Sequence, residues 1–146
     1  MAESHATAGS KSLQCVVVTP ERAVLDEPAD FVVLPMFDGE LGVLPGRAPL
    51  IGRLGYGELR VRNGNQTQHF YVDGGFAQVR ANVVTVLTGK AIPAAEISAD
   101  AAQKALQAAL QPATGDALEA ALKQQARARA QLRLAKGGAT HAGGHH

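Results

Sequence analysis

Chemistry in this chain would have to come from side chains that attack, carry protons or hold an ion, and few are on offer among its 146 residues. The serines Ser4, Ser10, Ser12 and Ser98 fall in the N-terminal segment or at a helix-cap position, not beside a base that would activate a hydroxyl. His69 stands in a strand-like run and Glu58 is the acid that could serve it, a pairing for which a structural role is the expectation. Cys15 opens the run Cys15-Val16-Val17-Val18 and reads as a small buried thiol; as the single cysteine it excludes an intramolecular disulfide. His141, His145 and His146 carry imidazoles that can ligate a divalent ion, but their Gly/Ala surroundings read as a low-complexity tail. No Cys/His cluster has zinc spacing. Gly89-Lys90 is preceded by Val84 where a phosphate-binding loop needs glycine, and Gly55-Tyr56-Gly57 continues to Arg60 where a dinucleotide fingerprint needs glycine. The chain therefore reads as a non-enzyme with no catalytic residue, no metal site and no cofactor.

The elements that would position any site divide at Ile92-Pro93. From Leu13 to Leu87 the sequence holds short β-branched or aromatic runs: Val16–Val18, Phe31–Leu34, Leu59–Arg62, His69–Val72 and Val83–Leu87. Between them stand turn-forming steps at Asp38-Gly39, Pro45-Gly46, Asn63-Gly64-Asn65, Asp73-Gly74-Gly75 and Arg80-Ala81-Asn82. With no helical crossover available, this pattern predicts an antiparallel β-sandwich or barrel over 13–92.

From Ala91 to Lys136, alanine fills 17 of 46 positions, a helix-forming composition. Ser98 is suited to cap a first helix with Asp100 in its opening turn, and Ala102, Leu106, Ala109 and Leu110 would line one face. Pro112, Thr114 and Gly115 interrupt, Asp116 with Glu119 restarts the pattern as a variant capping box, and Leu118, Leu122, Leu132 and Leu134 mark the second apolar side. Gly137-Gly138 is the expected stop. The layout is a β-sandwich N-terminal domain followed by a C-terminal α-helical hairpin over 93–136, with mobile segments at 1–12 and 137–146. So few large aliphatics cannot hold the hairpin alone, which marks it as a movable element.

Charge narrows the function classes. Fourteen Lys and Arg against 13 Asp and Glu leave a net +1, without the basic field that nucleic-acid binding uses. No apolar run approaches the roughly 18 residues of a membrane-spanning helix. The N-terminal segment has neither a secretory nor a transit pattern. Locally the balance differs: Lys123, Arg127, Arg129, Arg133 and Lys136 form an all-basic stretch suited either to the negative end of its own helix or to an acidic protein partner.

Two ordered motifs are recognisable. Gly39-Glu40-Leu41-Gly42-Val43-Leu44-Pro45-Gly46-Arg47-Ala48-Pro49-Leu50 resembles the signature loop of the epsilon-subunit family of F-type ATP synthases. Phe70-Tyr71-Val72-Asp73-Gly74-Gly75-Phe76, followed by Asn82-Val83-Val84-Thr85-Val86-Leu87, resembles that family's second signature; Val18–Arg22 and Ala130–Arg133 extend the likeness. The resemblance implies a non-catalytic central-stalk subunit of the proton-translocating motor, peripheral on the cytoplasmic face of the bacterial cell membrane. It would bind the gamma subunit, rest on the ring of proteolipid subunits, and regulate ATP hydrolysis through its helices. By position in the signature loop, the implied ring contacts are Asp38, Glu40 and Arg47. The implied inhibitory contacts with the catalytic beta subunits are Arg127, Arg129 and Arg133. The family's ATP-binding motif, Ile/Leu-Asp-x-x-Arg-Ala, is broken here by Ser98 and Ala101 in place of Asp and Arg, so weak or absent nucleotide binding is expected. The alternative from another class is a small-ligand-binding β-sandwich with a dimerising helical tail.

Overall fold

The computed structural model describes residues 12–144, with side chains through residue 135. The segment expected to be mobile at the N-terminus, apart from Ser12, and the side chains of His141, His145 and His146 lie outside the described residues. The chain divides into two compact units, Met1–Ala91 and Ile92–His146.

Eight strands form a β-sandwich, the last of them at the boundary of the two units: β1 Leu13–Val18, β2 Ala23–Ala29, β3 Phe31–Met36, β4 Gly39–Val43, β5 Leu50–Asn63, β6 Gln66–Arg80, β7 Val83–Leu87 and β8 Ala91–Pro93. The hydrogen-bonded path runs β2-β1-β7-β6-β5-β3-β4, with β8 also on β6. Every pairing along it is antiparallel except β1 with β7, which is parallel, correcting the wholly antiparallel expectation. No helical crossover is needed because β2 to β6 themselves form the connection. Two edge elements escape the propensity pattern. Strand β2 contains Asp26, Glu27 and Pro28, and β4 contains two glycines; polar residues, proline and short length are what outermost strands tolerate.

The sheet folds over on itself at the middle of its two longest strands. Inward positions are even before the fold and odd after it on β5, from Leu54 to Leu59 and Val61; on β6 they pass from Phe70 and Val72 to Ala77 and Val79. Asp73-Gly74-Gly75, expected as a turn, is this change of face inside β6. Gly75 adopts φ +104°, and a Cβ there would collide with the Leu87 carbonyl oxygen, so the second signature carries glycine where two backbones meet. The interior is closed by Leu13, Cys15, Val17, Val32, Leu34, Val43, Leu59, Val72, Val84 and Val86, all essentially without exposure. Burial, with lesser help from Glu27 and Asp26, pushes the Cys15 thiol up to about 12, which makes it the inert packing residue the sequence suggests.

In the second unit, a single 3₁₀ turn at Ala94–Glu96 precedes two helices, α1 Ala99–Ala109 and α2 Gly115–Gly144. Ser98 caps α1 as expected, its hydroxyl accepting from the Ala101 N–H at 3.0 Å. Three expectations shift. Helix α2 starts at Gly115, with the Thr114 carbonyl accepting from the Leu118 N–H, so Asp116 lies inside the first turn instead of capping it. Gly137-Gly138 does not end the helix, which runs to Gly144; each glycine costs only about 1 kcal/mol in a helix interior, and Ala, Thr and His around them still propagate. Leu118 and Leu122, expected inside, are 43% and 53% exposed, as is Leu110 at 45%. The buried residues of the two helices are instead Ala102 and Ala109 on α1 and Ala128, Ala130, Leu132 and Leu134 on α2. The Gln125 amide nitrogen donates to the Ala109 carbonyl at 3.0 Å, closing the C-terminus of α1 from α2.

Candidate functional site

The first signature loop is an edge strand with a turn at each end. Asp38 lies in the β3–β4 turn and Arg47 in the loop beyond the other end of β4, so the two are separated by a strand of five residues, about 17 Å at 3.4 Å per residue. Both are exposed, and no side-chain hydrogen bond or ion pair joins either to the chain among the described residues. The loop around Arg47 is fixed by its backbone: Gly46 takes φ +87° and its N–H donates to the Asn82 side-chain oxygen at 2.8 Å, stapling this loop to the β6–β7 hairpin.

Glu40 differs from both. Its carboxylate meets the Arg60 guanidinium at 3.2 Å. The same Arg60 nitrogen lies 3.1 Å from Glu58, whose other oxygen is 2.7 Å from His69 Nδ1. The outward face of β4, β3, β5 and β6 thus carries one continuous polar chain, Glu40–Arg60–Glu58–His69, in which His69 has the structural place expected of it. Desolvation works against the Arg60 charge, but the hydrogen bonds it donates to Glu58 and Glu40 outweigh it and raise its pKa above the ordinary arginine value.

The opposite outward face holds a feature that sequence reasoning missed. Arg53 on β5 is in register with Phe76 on β6, and Phe76 with Leu87 on β7; the Phe37 N–H donates to the Arg53 carbonyl. The four side chains form a row, with the Arg53 guanidinium 4.8 Å from the Phe37 ring centroid. Ile51 lies two residues along β5 on the same side. Phe37, Ile51, Phe76 and Leu87 are 69%, 73%, 53% and 52% exposed. The signal was present in the alternation Ile51-x-Arg53 and Phe76-x-Gln78, but reading it required knowing that the inner face there falls on Leu54, Ala77 and Val79.

On the hairpin, the three arginines do not share a face. Arg129 and Arg133 are exposed and one turn apart, whereas Arg127 is half-buried and rotated about 160° away from Arg129 at 100° per residue. Arg129 donates to the Gln125 side-chain oxygen at 3.3 Å. By the same rotation Leu118 and Leu122 fall on the Arg129 side, giving α2 an exposed stripe that is apolar at its start and basic beyond. Near the turn, a shallow recess of about 510 Å³ is lined mainly by alanines, including Ala105, Ala109, Ala117 and Ala121. At the position of the broken nucleotide motif the Ser98 hydroxyl is occupied as a cap and Ala101 offers only a methyl.

Residues 12–94, more than half of the chain, match the family model for the β-sandwich domain of the ATP synthase delta/epsilon chain. The chain belongs to the ATP synthase epsilon-chain family. It is 55% identical over 127 residues to an ATP synthase epsilon chain of Rhodopirellula baltica, spanning 86% of this chain and 99% of that one. A second epsilon chain, from Granulibacter bethesdensis, is 48% identical over 89 residues, 60% of this chain and 66% of the relative. A chain in the mitochondrial ATP synthase of Euglena gracilis, solved as an OSCP/F1/c-ring assembly, superposes with a TM-score of 0.72 at 27% identity, covering 84% and 82% of the two chains. One from the Tetrahymena thermophila mitochondrial central stalk and c-ring superposes at 0.64 and 19% identity, a likeness of fold. Membership makes this chain a non-catalytic subunit, in agreement with the absence of catalytic motifs in its sequence.

Proposed function

We propose that the chain is the central-stalk epsilon subunit of a bacterial proton-translocating ATP synthase, peripheral on the cytoplasmic face of the inner membrane. It couples gamma rotation to the proteolipid ring and restrains ATP hydrolysis through its helices. The observation that carries this reading is the exposed row of Phe37, Phe76 and Leu87 with Ile51 beside it: a sandwich with a filled core leaves four large apolar side chains in water only where a partner covers them. Gamma is the partner assigned to this face. The β4 edge and its loop, with Asp38, Glu40 and Arg47, meet the ring, where charges fix register against polar loops. Arg127, Arg129 and Arg133 meet acidic surface on the catalytic beta subunits when the hairpin opens. A first helix whose buried side chains are Ala102 and Ala109 suits opening, because methyl groups bury little area and two states need differ by only a few kcal/mol. With Ser98 and Ala101 in place of a charged pair, the folded hairpin binds ATP weakly or not at all.

The test is ATP hydrolysis by a catalytic complex stripped of its own epsilon, titrated with the full chain, with a chain ending at Ala95, and with Arg127→Ala/Arg129→Ala/Arg133→Ala. Equal binding by all three with inhibition by the full chain alone supports the reading. Inhibition undiminished in the triple variant would refute the electrostatic part, and no binding by any form would refute the assignment. The ligand-binding alternative draws no support from the sandwich, whose interior is occupied by its own side chains.

A further inference from the structure

Strand β4 is the last in the sheet path and pairs only with β3. An outer strand of five residues, two of them glycine, has little of its own to hold a carboxylate in one place. Arg60 supplies what is missing. Its backbone sits on β5, in register with Val33 of β3, and its guanidinium passes over β3 to reach Glu40 on β4. Both Glu40 oxygens face it, at 3.2 and 3.5 Å. Arg60 is held in turn, since Glu58 takes its Nη1 at 3.1 Å and is itself engaged by His69 across the β5–β6 ladder. The arginine is about one-third exposed and Glu40 more than half, so the chain is anchored at the His69 end and open to a partner at the Glu40 end.

We propose that Arg60 is a positioning residue for the ring contact: it pins the Glu40 carboxylate and the β4 edge, with Glu58 and His69 as its anchor. The inference rests on the reading that Glu40 meets the ring. Arg60 touches that partner only through Glu40, so removing Arg60 matters only while Glu40 is present. An ammonium keeps the charge that two carboxylates require but not the planar fork, whereas a neutral amide of shorter reach loses the charge altogether.

The experiment measures the apparent Kd of fluorescently labelled full chain for purified synthase that retains its ring and has been stripped of epsilon. The variants are Glu40→Gln, Arg60→Gln, Arg60→Lys and Glu40→Gln/Arg60→Gln, each with its thermal midpoint recorded. The expected result is a loss of about fivefold for Glu40→Gln and about threefold for Arg60→Gln, near the top of what exposed pairs deliver. The double variant should be no weaker than Glu40→Gln alone, and Arg60→Lys, which keeps the charge without the fork, should fall between the unaltered chain and Arg60→Gln. Glu40→Gln weakened with Arg60→Gln unchanged would overturn the role of Arg60 and leave the ring reading intact. Losses that multiply in the double variant would show a role independent of Glu40 and overturn it as well. Unchanged affinity for Glu40→Gln would remove the ring reading, and the positioning role with it.

Discussion

Replacing Ile51 and Phe76 together by alanine tests whether the exposed row is the surface that holds the chain in the stalk. Complete burial of an Ile or Phe side chain contributes about 1.5 to 3 kcal/mol. Ile51 is 73% and Phe76 53% exposed in the isolated chain, so most of the Ile51 term and half of the Phe76 term remain to be gained on docking. Together they come to about 2 to 4 kcal/mol, or about 30- to 700-fold in affinity. Folding loses less, about 0.5 kcal/mol at Ile51 and about 1 kcal/mol at Phe76, because only the smaller part of each side chain is buried in the free chain. The assay is titration of labelled full chain against an epsilon-free complex containing gamma, with thermal unfolding of the free chain alongside. A loss of affinity in that range, with the midpoint lowered by only a few degrees and the chain still folded at the assay temperature, is the expected outcome. Unchanged affinity would refute the reasoning, since it would mean that the row stays in water in the complex.

Three further substitutions or titrations probe the fold beneath the site. Gly75→Ala combines φ +104° with a collision at the Leu87 carbonyl, and should cost about 3 kcal/mol or more in chemical denaturation. Ala81→Gly should act in the opposite sense: Ala81 and Asn82 form the β6–β7 turn at φ 51° and 65°, and relieving the left-handed alanine should raise stability by about 1 kcal/mol by the same measurement. The Cys15 thiol stays neutral in the folded chain up to about 12 and ionises near 9.0 when unfolded, so its contribution is complete below pH 9 and is lost between 9 and 12. Over that window the unaltered chain should lose about 1.4 kcal/mol per pH unit relative to Cys15→Val, and thiol reagents at pH 8 should label it only after unfolding.

The sequence spoke most clearly where local chemistry and fold agree. The division into β-sandwich and helices, the Ser98 cap, buried Cys15 and the hairpin turns at Asn63–Gln66 and Arg80–Val83 all follow from propensity and turn residues. It was misleading where position in the sheet overrides propensity. Strand β2 is charged and contains proline because it is an edge, and Asp73-Gly74-Gly75 is glycine-rich because two backbones meet there, not because the chain reverses. The parallel β1–β7 pair joins the first strand of the path to a late one, a contact that no local pattern encodes. The same limit applied to the site. Asp38, Glu40 and Arg47 were legible as a charged motif, but the partner of Glu40 lies twenty residues on in Arg60, and the apolar row exists only once four segments are in register. Helical spacing places Leu118 and Leu122 inside, yet α2 buries Ala128, Ala130, Leu132 and Leu134 and leaves those leucines exposed.

The most direct test of the central claim is ATP synthesis, driven by an imposed ion gradient, in vesicles carrying the synthase stripped of epsilon, with bound chain counted as synthesis is followed. Recovery of synthesis that saturates at one copy of the chain per complex is the predicted result. Saturable binding at that ratio without any recovery of synthesis would contradict a coupling role.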